Sequence, residues 1–145
     1  TIATMVLRGA FTKVTARLKG EVKIPLVTTN RINTPEVAEQ VLAEGDADMV
    51  SMARPFLADP EFVTKAAAGQ AQLINTCIGC NQACIGHFHR GLPISCIQHP
   101  ETGRELIYGR PAQAARRKRI LVAGGGPAGM KAAITAVIWS VGWEV

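Results

Sequence analysis

Hydrophobic residues near the start of the chain recur at helical spacing. Phe11, Val14 and Leu18 fall every three to four positions within residues 9–19, and basic side chains lie between them. This period predicts an amphipathic helix, because such spacing places apolar groups on one face. Gly20 follows the last periodic position and predicts the end of the helix.

The next stretch changes to the pattern of buried strands. Residues 24–29 and 47–52 are short and mostly apolar, which predicts two strands. Between them Thr34 and Pro35 have the residue types of an N-cap and a first helical position, and Gly45 predicts the helix end.

A third helix is predicted from residues 59–61 to Gly69, after a turn at Arg54-Pro55. The order helix, strand, helix, strand, helix is typical of a parallel α/β fold. Residues 100–115 show no clear period and are interpreted as a connector.

A glycine motif then follows another predicted strand, residues 119–123. Gly124 permits a tight bend, Gly126 lets backbone amides approach a pyrophosphate, and Gly129 lets the next helix pack closely. Strand, glycine turn and helix together predict a nucleotide-binding site rather than a packing turn. Glu144 falls too early in the following strand to be a good ribose ligand.

Composition adds a modest basic character, with a net charge of +5 that is densest in residues 116–119. This run precedes an apolar strand without interleaved aromatics, so we interpret it as a solvated linker and expect no nucleic-acid binding. No apolar stretch has the length of a membrane span, and we expect a soluble cytoplasmic protein. The chain begins with Thr1, and we expect it to be part of a longer polypeptide.

The four cysteines of the chain are clustered as C-x2-C-x3-C-x11-C: Cys77, Cys80, Cys84 and Cys96. Thiolates favour iron–sulfur clusters or zinc, so the group predicts a metal site. Structural zinc usually takes two separated pairs, whereas a loop of three cysteines with a fourth further on suits a cubane. Zinc and ordinary reduced thiols remain the alternatives. His87, His89 and His99 flank the cysteines and are weaker candidate ligands.

Two arginines form a second candidate site. Arg31 and Arg54, the latter preceded by Ala53, each follow a predicted strand at its carboxyl end, where parallel α/β folds place ligands. Loops after the last two strands of a (β/α)8 barrel commonly bind phosphate with help from a short extra helix. The turn at residues 55–57 is the candidate for that helix.

These motifs, from TTNRINTPE through NTCIGCNQAC to ILVAGGGPAGMKAA, resemble the flavin and iron–sulfur oxidoreductases that include 2,4-dienoyl-CoA reductase, trimethylamine dehydrogenase and N-demethylases. The resemblance implies the end of an FMN-binding (β/α)8 TIM barrel in residues 1–73. It implies a 4Fe–4S loop and connector in residues 74–115, and the start of a Rossmann-like FAD/NAD(P)-binding domain in residues 116–145.

The same resemblance implies roles for particular residues. Arg31, Ala53 and Arg54 would contact the FMN phosphate, and the four cysteines would bind the cluster. The opening of the FAD fold would comprise Gly124, Gly126, Pro127, Ala128 and Gly129.

The function implied is that of an NAD(P)H-linked oxidoreductase that passes electrons from FAD through the cluster to FMN and an enoyl- or dienoyl-CoA-type alkene. The alternatives are an amine dehydrogenase or N-demethylase of the same family, a non-catalytic zinc-binding module, or a truncated product without activity. The resemblance places the substrate pocket on barrel strands that precede these residues, so we name no catalytic residue. We expect a small-molecule substrate and make no prediction of oligomeric state.

Overall fold

The computed structural model describes residues 2–108, 116 and 119–139, with side chains described up to residue 137. The chain forms two compact units, Thr1–Arg104 and Glu105–Val145. The elements of the first unit are α1 (Thr12–Lys19), β1 (Val27–Thr29), α2 (Pro35–Ala43), β2 (Met49–Ser51), α3 (Arg54–Ala58), α4 (Phe62–Ala67), a 3-10 turn (Ala71–Leu73) and α5 (Ile85–His89). The second unit contains α6 (Glu105–Tyr108) and α7 (Pro127–Trp139).

The two strands are parallel, with Thr28 opposite Val50 in the register. Asp48 ties the start of this pairing together, since its carboxylate accepts a hydrogen bond from the Leu26 amide at 2.8 Å and its own amide donates to the Leu26 carbonyl. Helix α2 connects the strands. The predicted β-α-β order is therefore confirmed, with strands shorter than the apolar runs.

Helix α2 begins and ends where the sequence predicts. The Thr34 hydroxyl accepts a hydrogen bond from the Val37 amide at 3.5 Å, and Pro35 occupies the first turn, where no amide is required. Gly45 follows the helix with a φ of 72°, a conformation that glycine adopts at no steric cost.

Helix α1 ends at Lys19 as predicted but begins at Thr12 rather than at residue 9, and its apolar face is not covered by the described residues. Val14 is 60% exposed, and Phe11 and Leu18 are exposed as well. The helix contacts the sheet through polar groups instead, where the Thr15 hydroxyl donates to that of Thr28 at 3.0 Å. The core is small, and its buried apolar residues include Ile32, Ala38, Val41, Ala47, Ala58 and Phe62.

The turn after β2 forms a short helix, α3, and Asp59 joins it to α4 and to the segment before the cysteines. Asp59 is buried, and its carboxylate accepts hydrogen bonds from Lys65 Nζ at 2.7 Å and from the amides of Glu61 and Asn75. Burial opposes ionisation of Asp59, but these three donors outweigh that cost and lower its pKa. Asp59 thereby fixes the path of the chain toward the cysteines.

The second unit differs from the prediction in one element. Residues 119–123 are not a strand, and none of the described residues of this unit forms one. A strand requires a neighbour that accepts and donates its backbone hydrogen bonds, and the described residues supply none beside this segment. The helix after the glycine turn is present as α7. Residues 143–145, including Glu144, and most of the basic run lie outside the described residues.

Across the described ranges, no helix combines the length and the apolar character needed to cross a bilayer.

Candidate functional site

The carboxyl ends of β1 and β2 form one concavity. Its wall includes the predicted ligand residues Arg31, Ala53 and Arg54, with Thr29 and Ser51 beside them. Parallel strands bring these loops together because their carboxyl ends meet at the same edge of the sheet. The structure thus assembles all three residues of the predicted phosphate site.

The backbone after β1 is unusual at this concavity. Asn30 and Arg31 have φ angles of 77° and 56°, in the left-handed region that residues with a Cβ rarely adopt. Such strain persists only where surrounding contacts enforce it, and it is concentrated at functional sites. Here the Arg31 carbonyl accepts a hydrogen bond from the Gly9 amide at 3.0 Å, which holds the turn.

Both guanidinium groups contact the segment that comprises residues 2–6. Arg31 Nε donates to the Val6 carbonyl at 2.8 Å and Arg31 Nη2 donates to the Thr4 carbonyl at 3.2 Å. Arg54 Nη1 donates to the Ile2 carbonyl at 2.8 Å. Each arginine retains further N–H donors that can bind an anion, since a guanidinium has five.

A second concavity is lined by all four cysteines. Cys77, Cys80, Cys84 and Cys96 are half-buried free thiols, and the apolar side chains of Leu57, Ile78 and Ile97 lie around them. Residues far apart in the loop therefore face one space, as the spacing predicts. In the described part of the chain, no three Cys, His, Asp or Glu side chains converge closely enough to hold a single metal ion.

The three histidines are absent from the lining of this concavity. His87 Nδ1 lies 2.8 Å from the Pro93 carbonyl, and His99 Nδ1 lies 3.0 Å from the Thr102 hydroxyl. His89 stacks edge-on against Phe88. Each histidine thus has a contact with another residue outside the concavity that the cysteines line.

Three side chains that the sequence did not single out hold the cysteine loop. Asn33 is 4% exposed, and its amide group donates to the Cys77 carbonyl at 2.7 Å. Gln98 donates to the Thr76 carbonyl at 2.7 Å, and Asn81 accepts a hydrogen bond from Arg54. These are contacts over long sequence separations, and only the polar residue type could have suggested them.

Gly79 marks where the cysteine loop meets the strand ends. It has a φ of 67°, and a Cβ there would lie 3.0 Å from Arg31 Nη1 and 3.3 Å from the Thr4 amide nitrogen. The positive φ and this close approach to Arg31 both favour glycine in the first C-x2-C turn.

The glycine turn of the second unit has the close approach that its motif predicts. A Cβ at position 129 would lie 2.0 Å from the Gly124 carbonyl oxygen, so only glycine fits there. Gly124 itself has a φ of 126°. The Gly126 carbonyl accepts a hydrogen bond from the Met130 amide at 2.9 Å, which closes the first turn of α7. Pro127 and Ala128 lie in that turn.

Comparison with known proteins gives a consistent result. Residues 2–72 match the NADH:flavin oxidoreductase / NADH oxidase family. The chain is 46% identical over 120 residues to an NADH oxidase of Thermoanaerobacter brockii, covering 82% of this chain and 18% of that protein. The chain spans about a fifth of the length of the curated relatives it matches.

Solved structures agree with this match. A 2-naphthoyl-CoA reductase in complex with 2-naphthoyl-CoA superimposes with a TM-score of 0.87 at 33% identity, over 94% of this chain and 21% of that one. Histamine dehydrogenase from Rhizobium sp. 4-9 gives a TM-score of 0.83 at 29% identity, over 95% and 20%. The α/β class of the fold and its likeness to TIM-barrel flavoenzymes are confirmed.

Proposed function

Because the chain belongs to the NADH:flavin oxidoreductase / NADH oxidase family of oxidoreductases, we propose that it is part of an NAD(P)H-linked flavin and iron–sulfur reductase. Its substrate is an activated alkene of the enoyl- or dienoyl-CoA type. The observation that carries this proposal is the proximity of two concavities in one compact unit, one lined by arginines at strand ends and the other by four thiols.

The first concavity suits the phosphate of FMN. Arg31 and Arg54 supply positive charge and planar N–H donors, which bind phosphate with charge-assisted hydrogen bonds. Neither arginine forms an ion pair with a carboxylate of the described residues, so their charge is available to an anion. The left-handed turn at Arg31 directs the chain around this space.

The second concavity suits a 4Fe–4S cluster. Four cysteines line it, and four cysteine thiolates are the usual ligand set of such a cluster. Leu57, Ile78 and Ile97 would limit the access of water, which tunes the potential of such a cluster. Asn33 and Gln98 hold the backbone on either side of the first cysteine.

The glycine turn of the second unit suits FAD. Gly129 permits the contact with the Gly124 carbonyl, and the exposed backbone of residues 125–127 leaves room for a pyrophosphate. NAD(P)H would supply the electrons. A flavin exchanges electrons singly or in pairs and a cluster exchanges them singly, so the bound groups would supply electron transfer between a hydride donor and an alkene.

Two of the comparisons support the choice of an alkene. The structure that superimposes with the higher TM-score of the two belongs to a reductase of a CoA thioester, and the curated relative described above is an NADH oxidase. The likeness to histamine dehydrogenase supports a second candidate, an amine dehydrogenase or N-demethylase that would use the same cofactors.

Anaerobic reduction of the full-length protein separates these candidates. The purified protein is mixed with NADH, with NADPH or with a series of methylated amines, and flavin bleaching is followed by absorbance. We expect NADH or NADPH to bleach the flavin and an enoyl- or dienoyl-CoA to restore its colour. Bleaching by an amine, with no response to either nicotinamide, would reject the reductase in favour of the second candidate.

A further inference from the structure

Arg54 lines both concavities. It stands in the wall at the carboxyl ends of β1 and β2, and it also stands in the wall of the space that the four cysteines surround. Arg31 lines only the first of these spaces. Arg31 approaches the cysteine loop at the backbone of Gly79 instead, so of the two arginines only Arg54 lines the space that the four cysteines share.

Hydrogen bonds hold the Arg54 side chain between Ile2, near the start of the chain, and Asn81, within the cysteine loop. Nη1 donates to the Ile2 carbonyl at 2.8 Å and also to Asn81 Oδ1, and Asn81 follows Cys80 directly. The side chain is half-buried. Asn81 also donates to the Ile2 carbonyl, at 3.3 Å. Arg54, Asn81 and this carbonyl are therefore joined by three mutual hydrogen bonds.

The charge of Arg54 is not offset nearby. Within the ranges described, no Asp or Glu lies within ion-pair distance of its guanidinium. Apolar side chains line the same space, and in such surroundings a charge interacts more strongly than it does in water.

We propose that Arg54 acts on both cofactors: it binds the flavin phosphate and it raises the reduction potential of the cluster. The inference rests on the proposed function. When the cluster accepts one electron from reduced flavin, its net charge becomes more negative by one, and the fixed cation of Arg54 stabilises that state. No proton and no bond changes at Arg54. A phosphate bound to the same guanidinium offsets part of its charge, so occupancy of the flavin site lowers the cluster potential.

The test is a redox titration of full-length protein, followed by electron paramagnetic resonance of the reduced cluster. Arg54→Gln is compared with the parent, and Arg31→Gln is the matched control that removes the other arginine of the flavin site. We expect both variants to retain less FMN than the parent. At a fixed potential, the ratio of reduced to oxidised cluster should fall about tenfold in Arg54→Gln, a shift of about 59 mV to lower potential. The shift in Arg31→Gln should be less than half of that.

Two further measurements complete the test. Arg54→Lys keeps the charge and should recover most of the potential. In flavin-free parent protein, inorganic phosphate at concentrations that compete with FMN should lower the cluster potential, whereas chloride of equal ionic strength should not. This second measurement needs no variant to fold.

Equal potentials in the parent and Arg54→Gln, equal shifts in Arg54→Gln and Arg31→Gln, or no response to phosphate would each overturn the role of Arg54 at the cluster. All three results leave the proposed function intact. Protein without iron would instead refute the proposed function itself.

Discussion

Asn33 joins the segment after β1 to the start of the cysteine loop. It lies two positions after Arg31, it is buried, and its amide donates to the carbonyl of Cys77. The Asn33 Oδ1 atom has no hydrogen-bond partner among the described residues. A buried polar atom without a hydrogen-bond partner lowers the stability of the fold, so such a side chain is expected where its other contacts are needed.

Replacing Asn33 by Ala should loosen the first cysteine of the loop. The lost hydrogen bond is worth about 1 kcal/mol, so iron should be released to a chelator roughly fivefold faster. Release is followed by the absorbance of the chelator complex. Gln82→Ala is the control, because Gln82 is an exposed residue of the same loop. Equal release rates in both variants would show that Asn33 does not position Cys77.

Asp59 makes a pH-dependent contribution to stability. Its pKa is lowered below the usual 3.8 in the folded state, so the unfolded chain takes up the proton first as the pH falls. The stabilisation is complete above pH 3.8 and is lost as the pH falls through the folded pKa. Below that pH, the free energy of unfolding of the full-length parent should fall more steeply with decreasing pH than that of Asp59→Asn. The two slopes should differ by up to about 1.4 kcal/mol per pH unit. Denaturant titrations between about pH 5 and about pH 3 measure this difference, and parallel curves would contradict it.

At the residue scale, the sequence predicted the ligand types but not their supports. The cysteines and Arg31 could be found from motif spacing and from positions after strands. The partners of Asn33, Asn81 and Gln98 lie across turns whose geometry depends on the whole unit, so their residue types alone were not informative. The left-handed conformation of Arg31 likewise has no signal in its side chain.

At the scale of elements, the glycine turn before α7 depends on one close contact. Gly129→Ala would place a methyl group 2.0 Å from the Gly124 carbonyl oxygen, so the turn or the helix must shift. We expect the full-length variant to lose FAD while it keeps FMN and iron, because those sites lie in the other unit. Flavin content is measured by chromatography of the released flavins.

Ala132→Ser is the control for this variant. Ala132 is an exposed residue of α7 beyond the glycine turn, so the variant should keep its FAD. Loss of FAD from both variants, or from neither, would contradict the close-contact explanation.

The elements that the sequence located well are those with local signals. Helix α2 has a threonine cap, a proline in its first turn and a terminal glycine, and its bounds were predicted. The segment 119–123 has the composition of a strand, yet pairing requires a neighbour that local sequence does not specify. The apolar runs around β1 and β2 exceed the paired residues for the same reason.

At the scale of the whole molecule, the first unit exposes apolar surface that an isolated domain would bury. Val27 and Met49, opposite each other in the sheet, are about half exposed, as is much of α1. Among the described residues the sheet has two strands, whereas a closed barrel takes eight. The surface therefore fits the interior of a larger fold of the kind that the longer relatives have.

This exposure makes a testable difference between the 145-residue chain and the full-length protein. The chain on its own should bind the dye ANS, melt without a cooperative transition and retain no FMN. The full-length protein should melt cooperatively with its flavin. Calorimetry and dye fluorescence measure both, and a sharp melt of the shorter chain without dye binding would contradict this expectation.

We propose that the four cysteines hold an iron–sulfur cluster beside a flavin phosphate site. Metal and acid-labile sulfide analysis of anaerobically purified full-length protein decides between this cluster and zinc. We expect about four irons and about four sulfides for each chain, and we expect their loss in Cys84→Ser. One zinc for each chain, with neither iron nor sulfide, would contradict the claim.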